Sequence, residues 1–163
     1  MARPTERGLA VFDLDGTLAD VRHRLRYVES APRDWRAFFR AAPRDPPLPE
    51  GVELALRWAE ECDLGYVTGR PERCRRDTER WLERQGLPAG RLRMRGDADR
   101  RPARTVKPEL LRGLAGRERV AVVVDDDPRV CDAYRAAGYR VLHADWSARS
   151  ATLERAQEER GRT

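Results

Sequence analysis

Phe12-Asp13-Leu14-Asp15-Gly16-Thr17-Leu18 is the stretch on which the reading of this chain turns. It continues the apolar run 9–12, so two carboxylates emerge where a short buried strand ends, and Gly16 then lets the chain turn. Residues two apart in an extended chain project to the same side, which predicts that Asp13 and Asp15 face one way. Carboxylates that close repel, and a cation or a shared proton must compensate. Phosphoryl transfer can use such a pair, one carboxylate as nucleophile beside Mg²⁺ and the other as acid and base. A DxD on its own reads as an Asx-rich turn; DxDGT behind an apolar strand reads as catalysis.

Working outward, short apolar runs alternate with segments of helical periodicity, the pattern of strands and crossover helices. Strands are expected over 9–12, 64–67, 91–94, 120–124 and 139–143. The run 120–124 is nearly all β-branched, as a central strand buried on both faces requires. Helices are expected over 51–61, over 71–85 (opened by Pro71, closed by Gly86), over 108–114 and over 128–137, the last stopped by Gly138. The expected fold is α/β, a Rossmann-like three-layer sandwich around a central parallel sheet. One domain, 1–146, is expected to carry a small insertion at 19–49, where five prolines lie within 31–49 around Trp35, Phe38 and Phe39. That aromatic spacing suits a packed core better than a base-stacking platform. The charged tail 147–163 has Leu153 as its only large apolar residue and is expected to fray.

At 163 residues the chain suits one compact domain, and 40% hydrophobic with 37% charged residues is too apolar and too periodic for disorder. The net charge of +5 comes almost wholly from arginine, since Lys107 is the only lysine among 33 basic residues. A basic surface attracts polyanions, but 28 acidic residues are interleaved and no block reads as a binding arm. Cys62, Cys74 and Cys131 form no CxxC pair, and with two histidines they argue against zinc and for reduced structural thiols. No run approaches the roughly 18 apolar residues of a membrane span. A cytoplasmic protein is expected.

Ligands of open α/β sheets bind beyond the carboxyl ends of the strands, and three further places there carry chemistry. Thr68-Gly69-Arg70-Pro71 comes after the second strand: a hydroxyl, a close-approach glycine and an expected helix start together suit phosphate, or Thr68 simply caps that helix. Lys107 precedes Pro108 at an expected helix start. If arginine replaces lysine wherever either serves, the one lysine left marks a place that needs a compact point charge, unless it is merely solvated. Asp125-Asp126-Asp127-Pro128 comes after the fourth strand. Oxygen ligands of this kind suit Mg²⁺, and Asp127 before proline reads as an N-cap.

These four places, in this order, resemble the motifs of the haloacid dehalogenase superfamily. The resemblance implies that Asp13 is phosphorylated, that Asp15 protonates the leaving group and later activates water, and that Thr68 and Lys107 hold the phosphoryl oxygens. It also implies that Asp126 binds Mg²⁺ with Asp13 and the Asp15 carbonyl, Asp125 lying beside it. The chain is more closely similar to the 3′-phosphatase domain of polynucleotide kinase-phosphatases, through 12–18, Thr68-Gly69-Arg70, the stretch from Met94 to Lys107, and Val124-Asp125-Asp126. By that resemblance Gly69, Arg70 and Arg24 contact substrate, a phosphorylated DNA or RNA 3′ end. Asp127 stands where that family often has arginine, and no GxxxxGK[ST] kinase loop occurs in the sequence.

Neither 19–49 nor 70–106 is long enough for a large cap, which predicts an open site suited to a nucleic-acid end. A small-molecule phosphatase such as a nucleotidase would use the same residues. A phosphoacceptor switch would carry its acidic pair and its phosphorylated Asp on different strands. A non-catalytic nucleic-acid module would bind with salt sensitivity and without need of Asp13.

Overall fold

The computed structural model describes residues 6–163. Five parallel strands form one sheet in the order β3-β2-β1-β4-β5: β1 Leu9–Phe12, β2 Asp63–Pro71, β3 Arg91–Arg95, β4 Val120–Asp125 and β5 Val141–His143. The expected α/β architecture is therefore observed. Strand side chains alternate between two cores. Ala10, Phe12, Tyr66, Val122 and Val124 pack with Ala55, Trp81 and Leu82 on one face; Leu9, Val11, Val67 and Val123 pack with Leu111, Val130 and Tyr134 on the other. Apolar surface on both faces is what makes β1 and β4 continuous hydrophobic runs.

The helices are α1 Trp35–Arg40, α2 Pro49–Glu61, α3 Arg75–Arg84, α4 Ala103–Leu114, α5 Pro128–Ala136 and α6 Ala151–Glu159. Beyond shifts of about two residues at α2 and β5, three features differ from expectation. Pro71 ends β2 instead of opening a helix: it pairs with Arg95 of β3 after a register shift, and a 3-10 turn at Glu72–Cys74 precedes α3. A proline pushes the residue before it toward extended backbone, which keeps Arg70 in the strand. Helix α4 starts at Ala103 and carries Pro108 inside it, because the buried stripe Ala103, Val106, Lys107, Leu111, Leu114 already has helical spacing one turn earlier. The tail does not fray: α6 buries Ala156 and sets Leu153 against the Phe38–Phe39 cluster.

Within 19–49, Trp35 and Phe38 meet edge to face at 5.3 Å, and Phe38 and Phe39 are buried. They form a small core, and no base can stack on Phe38. Cys62, Cys74 and Cys131 are free thiols. Among the described residues no helix is long and apolar enough to cross a membrane.

Candidate active site

The carboxyl ends of β1, β2 and β4 lie side by side in the middle of the sheet, and the short strands deliver their first polar residues there. Asp13, Asp15, Thr68, Arg70, Lys107, Asp125 and Asp126 are all buried at this edge. Gly16 turns the chain at φ +82°, and a side chain in its place would run into the Asp126 carboxylate. The glycine is thus required twice over, by conformation and by space.

Two clusters result, and they separate the carboxylates that the two-residue spacing placed on one side. In the first, Asp13, Asp125 and Asp126 each offer an oxygen, all within 4.8 Å of one another. Lys107 reaches in from α4, its Nζ 2.7 Å from Asp125 Oδ2 and 3.0 Å from Asp13 Oδ2. Burial works against the ammonium, yet Asp125 and Asp13 outweigh it and hold the lysine charged, well above its ordinary range. Burial pushes the Asp13 carboxyl well up despite Lys107, with Asp125 and Asp126 adding to the rise. Asp126 is pushed up to about 7, by burial first and then by Asp125. Its Oδ1 is buried without a hydrogen-bond partner. When all are ionised, three carboxylates against the Lys107 ammonium and the Arg149 guanidinium leave a surplus of negative charge, and an all-oxygen donor set fits a hard cation such as Mg²⁺. Asp125 also accepts the Asp127 amide at 2.9 Å, so it orients Lys107 and the β4–α5 turn together. Asp127 caps α5 by accepting from the Arg129 amide, as expected.

Asp126 sets the sign of a pH effect. Its folded value lies above the ordinary 3.8, so the metal-free fold binds the extra proton. Stability from this group is fully present below 3.8 and is lost as pH rises toward about 7. A cation that replaces the proton should restore it. We expect MgCl₂ to raise Tm more at about pH 8 than at about pH 5. Equal shifts at both pH values would remove Asp126 from the cation site.

In the second cluster Asp15 faces arginines. Arg70 Nε donates to Asp15 Oδ1 at 2.8 Å and Arg24 Nη2 donates to the same oxygen at 3.0 Å. Burial would raise the Asp15 carboxyl, but the two guanidiniums outweigh it and hold it well below the usual carboxylate range. Both arginines also bond Asp45: Arg24 Nε to Oδ1 at 2.7 Å, Arg24 Nη2 to Oδ2 at 2.6 Å and Arg70 Nη2 to Oδ2 at 2.9 Å. Arg24 further lies 4.4 Å over the Phe38 ring. The arginines expected to meet substrate are thus committed to carboxylates in the free chain.

Asp45 was not legible in the sequence, where it sits between prolines with no periodicity around it. Its carboxylate also accepts from His23 Nε2–H at 2.7 Å, and its carbonyl accepts the Trp81 indole N–H at 2.9 Å. Asp45→Ala strips two buried guanidiniums of a shared partner and should cost about 3–5 kcal/mol in urea unfolding. A loss below about 1 kcal/mol would mean that water or Asp15 alone satisfies them.

Thr68 ends no loop and caps no helix: it lies buried in β2, its Oγ1 accepting the Arg70 amide at 3.2 Å. The helix dipole expected behind it is displaced by the continued strand and the 3-10 turn. Gly69 leaves the backbone bare, and what lies on it is unexpected. A Cβ there would fall on the carbonyl carbon of Thr163. Thr163 Oγ1 donates to Asp15 Oδ2 at 3.2 Å, and Arg149 Nη1 donates to the Asp126 carbonyl at 2.8 Å and to Oδ2 at 3.1 Å. The expected open site is therefore covered by the tail, with Val21, Arg22 and Leu25 of 19–49 along its edge and nothing from 70–106. A cavity of about 30 Å³ remains between Asp15, Asp126, Arg149 and Thr163.

A central parallel sheet with an Asp-x-Asp turn, a hydroxyl, a buried lysine and an acidic pair at its carboxyl edge defines a phosphatase of the haloacid dehalogenase class. The family model described as the polynucleotide kinase PNKP phosphatase domain matches residues 8–147, and the chain belongs to that family. No curated protein sequence matches it significantly. Among solved structures it is similar to a chain of the Pnkp1/Rnl/Hen1 RNA repair complex, with a TM-score of 0.71, 23% identity and coverage of 88% of this chain but 44% of that one. A haloacid dehalogenase-like hydrolase from Streptococcus pneumoniae aligns at TM-score 0.63 and 16% identity over 96% of this chain and 93% of that chain. A class C acid phosphatase from Bacillus anthracis with tungstate bound aligns at 0.55 and 20% identity over 75% and 53%. These likenesses show the fold. The chain spans less than half the length of the RNA repair complex chains it matches, at 44% and 48%.

Proposed function

We propose that this chain is a Mg²⁺-dependent polynucleotide 3′-phosphatase that works through a phosphoryl group carried on Asp13. The observation that carries the chemistry is the pairing of a buried Asp13 with Lys107 at 3.0 Å beside Asp126. The ammonium opposes the rise that burial imposes on the Asp13 carboxyl, a bound cation would offset the rest, and Lys107 also meets the incoming phosphoryl oxygens. Thr68 and the Gly69 amide complete the cradle. Asp13, Asp126 and the Asp15 carbonyl would hold Mg²⁺, which when bound supplies neutralising charge for the phosphoryl oxygens.

Asp15 takes the two proton roles. It is already a carboxylate for drawing a proton from water in the hydrolytic step, but the guanidiniums of Arg24 and Arg70 that hold it ionised also weaken it as a base, so their grip must loosen there too. To protonate the leaving oxygen in the first step it must itself gain a proton, which needs the guanidiniums to slacken. An arriving phosphate competes for Arg24 and Arg70 and supplies that release.

The polynucleotide assignment rests on the family match and on the resemblance to an RNA repair complex chain. One observation favours the second reading, a small-molecule phosphatase: the tail lies over the site, and a small ester needs less of that cover displaced than a nucleic-acid end does. The test is phosphate release, with Mg²⁺, from a 3′-phosphorylated oligonucleotide, its 5′-phosphorylated isomer, 3′- and 5′-mononucleotides and p-nitrophenyl phosphate. Preference for the 3′-phosphorylated oligonucleotide by orders of magnitude supports the proposal. Preference for mononucleotides leaves the mechanism and removes the polynucleotide.

A further inference from the structure

The family match ends at residue 147, and residues 148–163 form the segment that covers the site. This segment reaches the second Asp of the DxD pair, the Thr-Gly-Arg stretch of β2 and the acidic pair at once. Thr163 Oγ1 donates to Asp15 Oδ2 at 3.2 Å, an alcohol placed beside the very carboxylate proposed to serve the leaving oxygen. The Thr163 backbone lies on Gly69, and its carbonyl accepts from Arg95 Nη2 at 3.4 Å. Arg149 covers Asp126 Oδ2 at 3.1 Å and pairs with Asp127 at 3.7 Å. The remaining 30 Å³ holds about two waters and no phosphate ester.

The anchorage of this cover is slight. Helix α6 joins no sheet; it holds on by buried Ala156 and Gln157, by Leu153 against the aromatic cluster and by Glu158, which pairs with Arg104 at 3.0 Å and with Arg129 at 4.0 Å. Both arginines are exposed, so those pairs add little. Gly161, at φ +55°, gives the turn that sends Arg162 and Thr163 into the site.

We propose that residues 148–163 are a displaceable strap that occupies the leaving-group side of the active site through Thr163 and holds Asp126 through Arg149, so that a phosphoryl ligand binds only as the strap leaves. The inference rests on the phosphatase reading of this site. It also reconciles a nearly closed cavity with a bulky substrate: the strap, not a cap domain, sets access. Binding is weakened by the fraction of molecules with the strap docked, and loosening the strap removes that factor.

The experiment is hydrogen exchange by mass spectrometry on the full chain with Mg²⁺, with and without orthovanadate, beside vanadate binding by calorimetry. The same measurements are made on Ala156→Asp, which places a charge at the α6 anchor away from the catalytic groups, and on the milder Leu153→Ala. Vanadate should deprotect 148–163 in the unaltered chain. Ala156→Asp should deprotect the same segment without vanadate, keep the protection of β1 and β4, and bind vanadate about tenfold tighter, with Leu153→Ala between the two. If β1 and β4 lose protection in Ala156→Asp, Leu153→Ala and the unaltered chain decide. Vanadate that leaves the exchange of 148–163 unchanged, or a released strap with unchanged vanadate affinity, overturns the proposal. Turnover of the oligonucleotide panel is read separately, so a wrong substrate class shows there and leaves the vanadate result standing.

Discussion

Asp13→Asn should reduce phosphate release by about 10⁴-fold or more while the protein stays folded. An amide has the volume of the carboxyl it replaces but cannot form the acyl phosphate. The site loses a charge that burial opposes, with Asp125 and Asp126 close by, so Tm should hold or rise. Acid-quenched unaltered protein should carry phosphate on Asp13, and the variant none. Turnover within about tenfold of the unaltered protein would remove Asp13 as nucleophile, since losing a covalent catalyst costs far more.

Lys107→Arg should lower kcat by about 10²–10³-fold, the scale of losing one aimed charge in a preorganised site. The position is closed: Lys107 is 1% exposed, with its Nζ between Asp125 at 2.7 Å and Asp13 at 3.0 Å. A guanidinium is broader and planar, so it meets one carboxylate at the expense of the other and pushes on the helix behind it. Overpacking should also cost about 1–3 kcal/mol in unfolding. Full activity would mean that charge alone suffices, and the single lysine of this arginine-rich chain would mark nothing.

The two sets of charged residues behave differently because one is tied to chain order and the other is not. Asp13, Thr68 and Asp125 stand at the ends of apolar strands, and a parallel sheet brings such ends to one edge whatever the loops do. Strand and site were legible together there. Lys107 stood out by its singularity, and the structure buries it beside Asp13 and Asp125, although the helix that carries it begins a turn earlier than its proline suggested. Arg24 and Arg70 were found by resemblance, but their partner was not. Asp45 lies 21 and 25 positions from them, in a proline-rich loop that no periodicity describes.

The tail shows the same limit from the other side. Its composition is that of a solvated helix, and one leucine is a weak signal for docking. Docking depends on a small apolar cluster assembled from 19–49 and on carboxylates collected from β1 and β4, none of which is its neighbour in the chain. Chain order thus encodes the parallel sheet and the carboxylates that emerge at its edge, because hydrophobic periodicity and the turn that ends each strand are local properties. Folding alone settles which charges pair and what covers them. Those choices depend on burial, where a carboxylate must find its cation within about 3–4 Å or give up its charge, and such distances are set by packing between segments far apart in sequence.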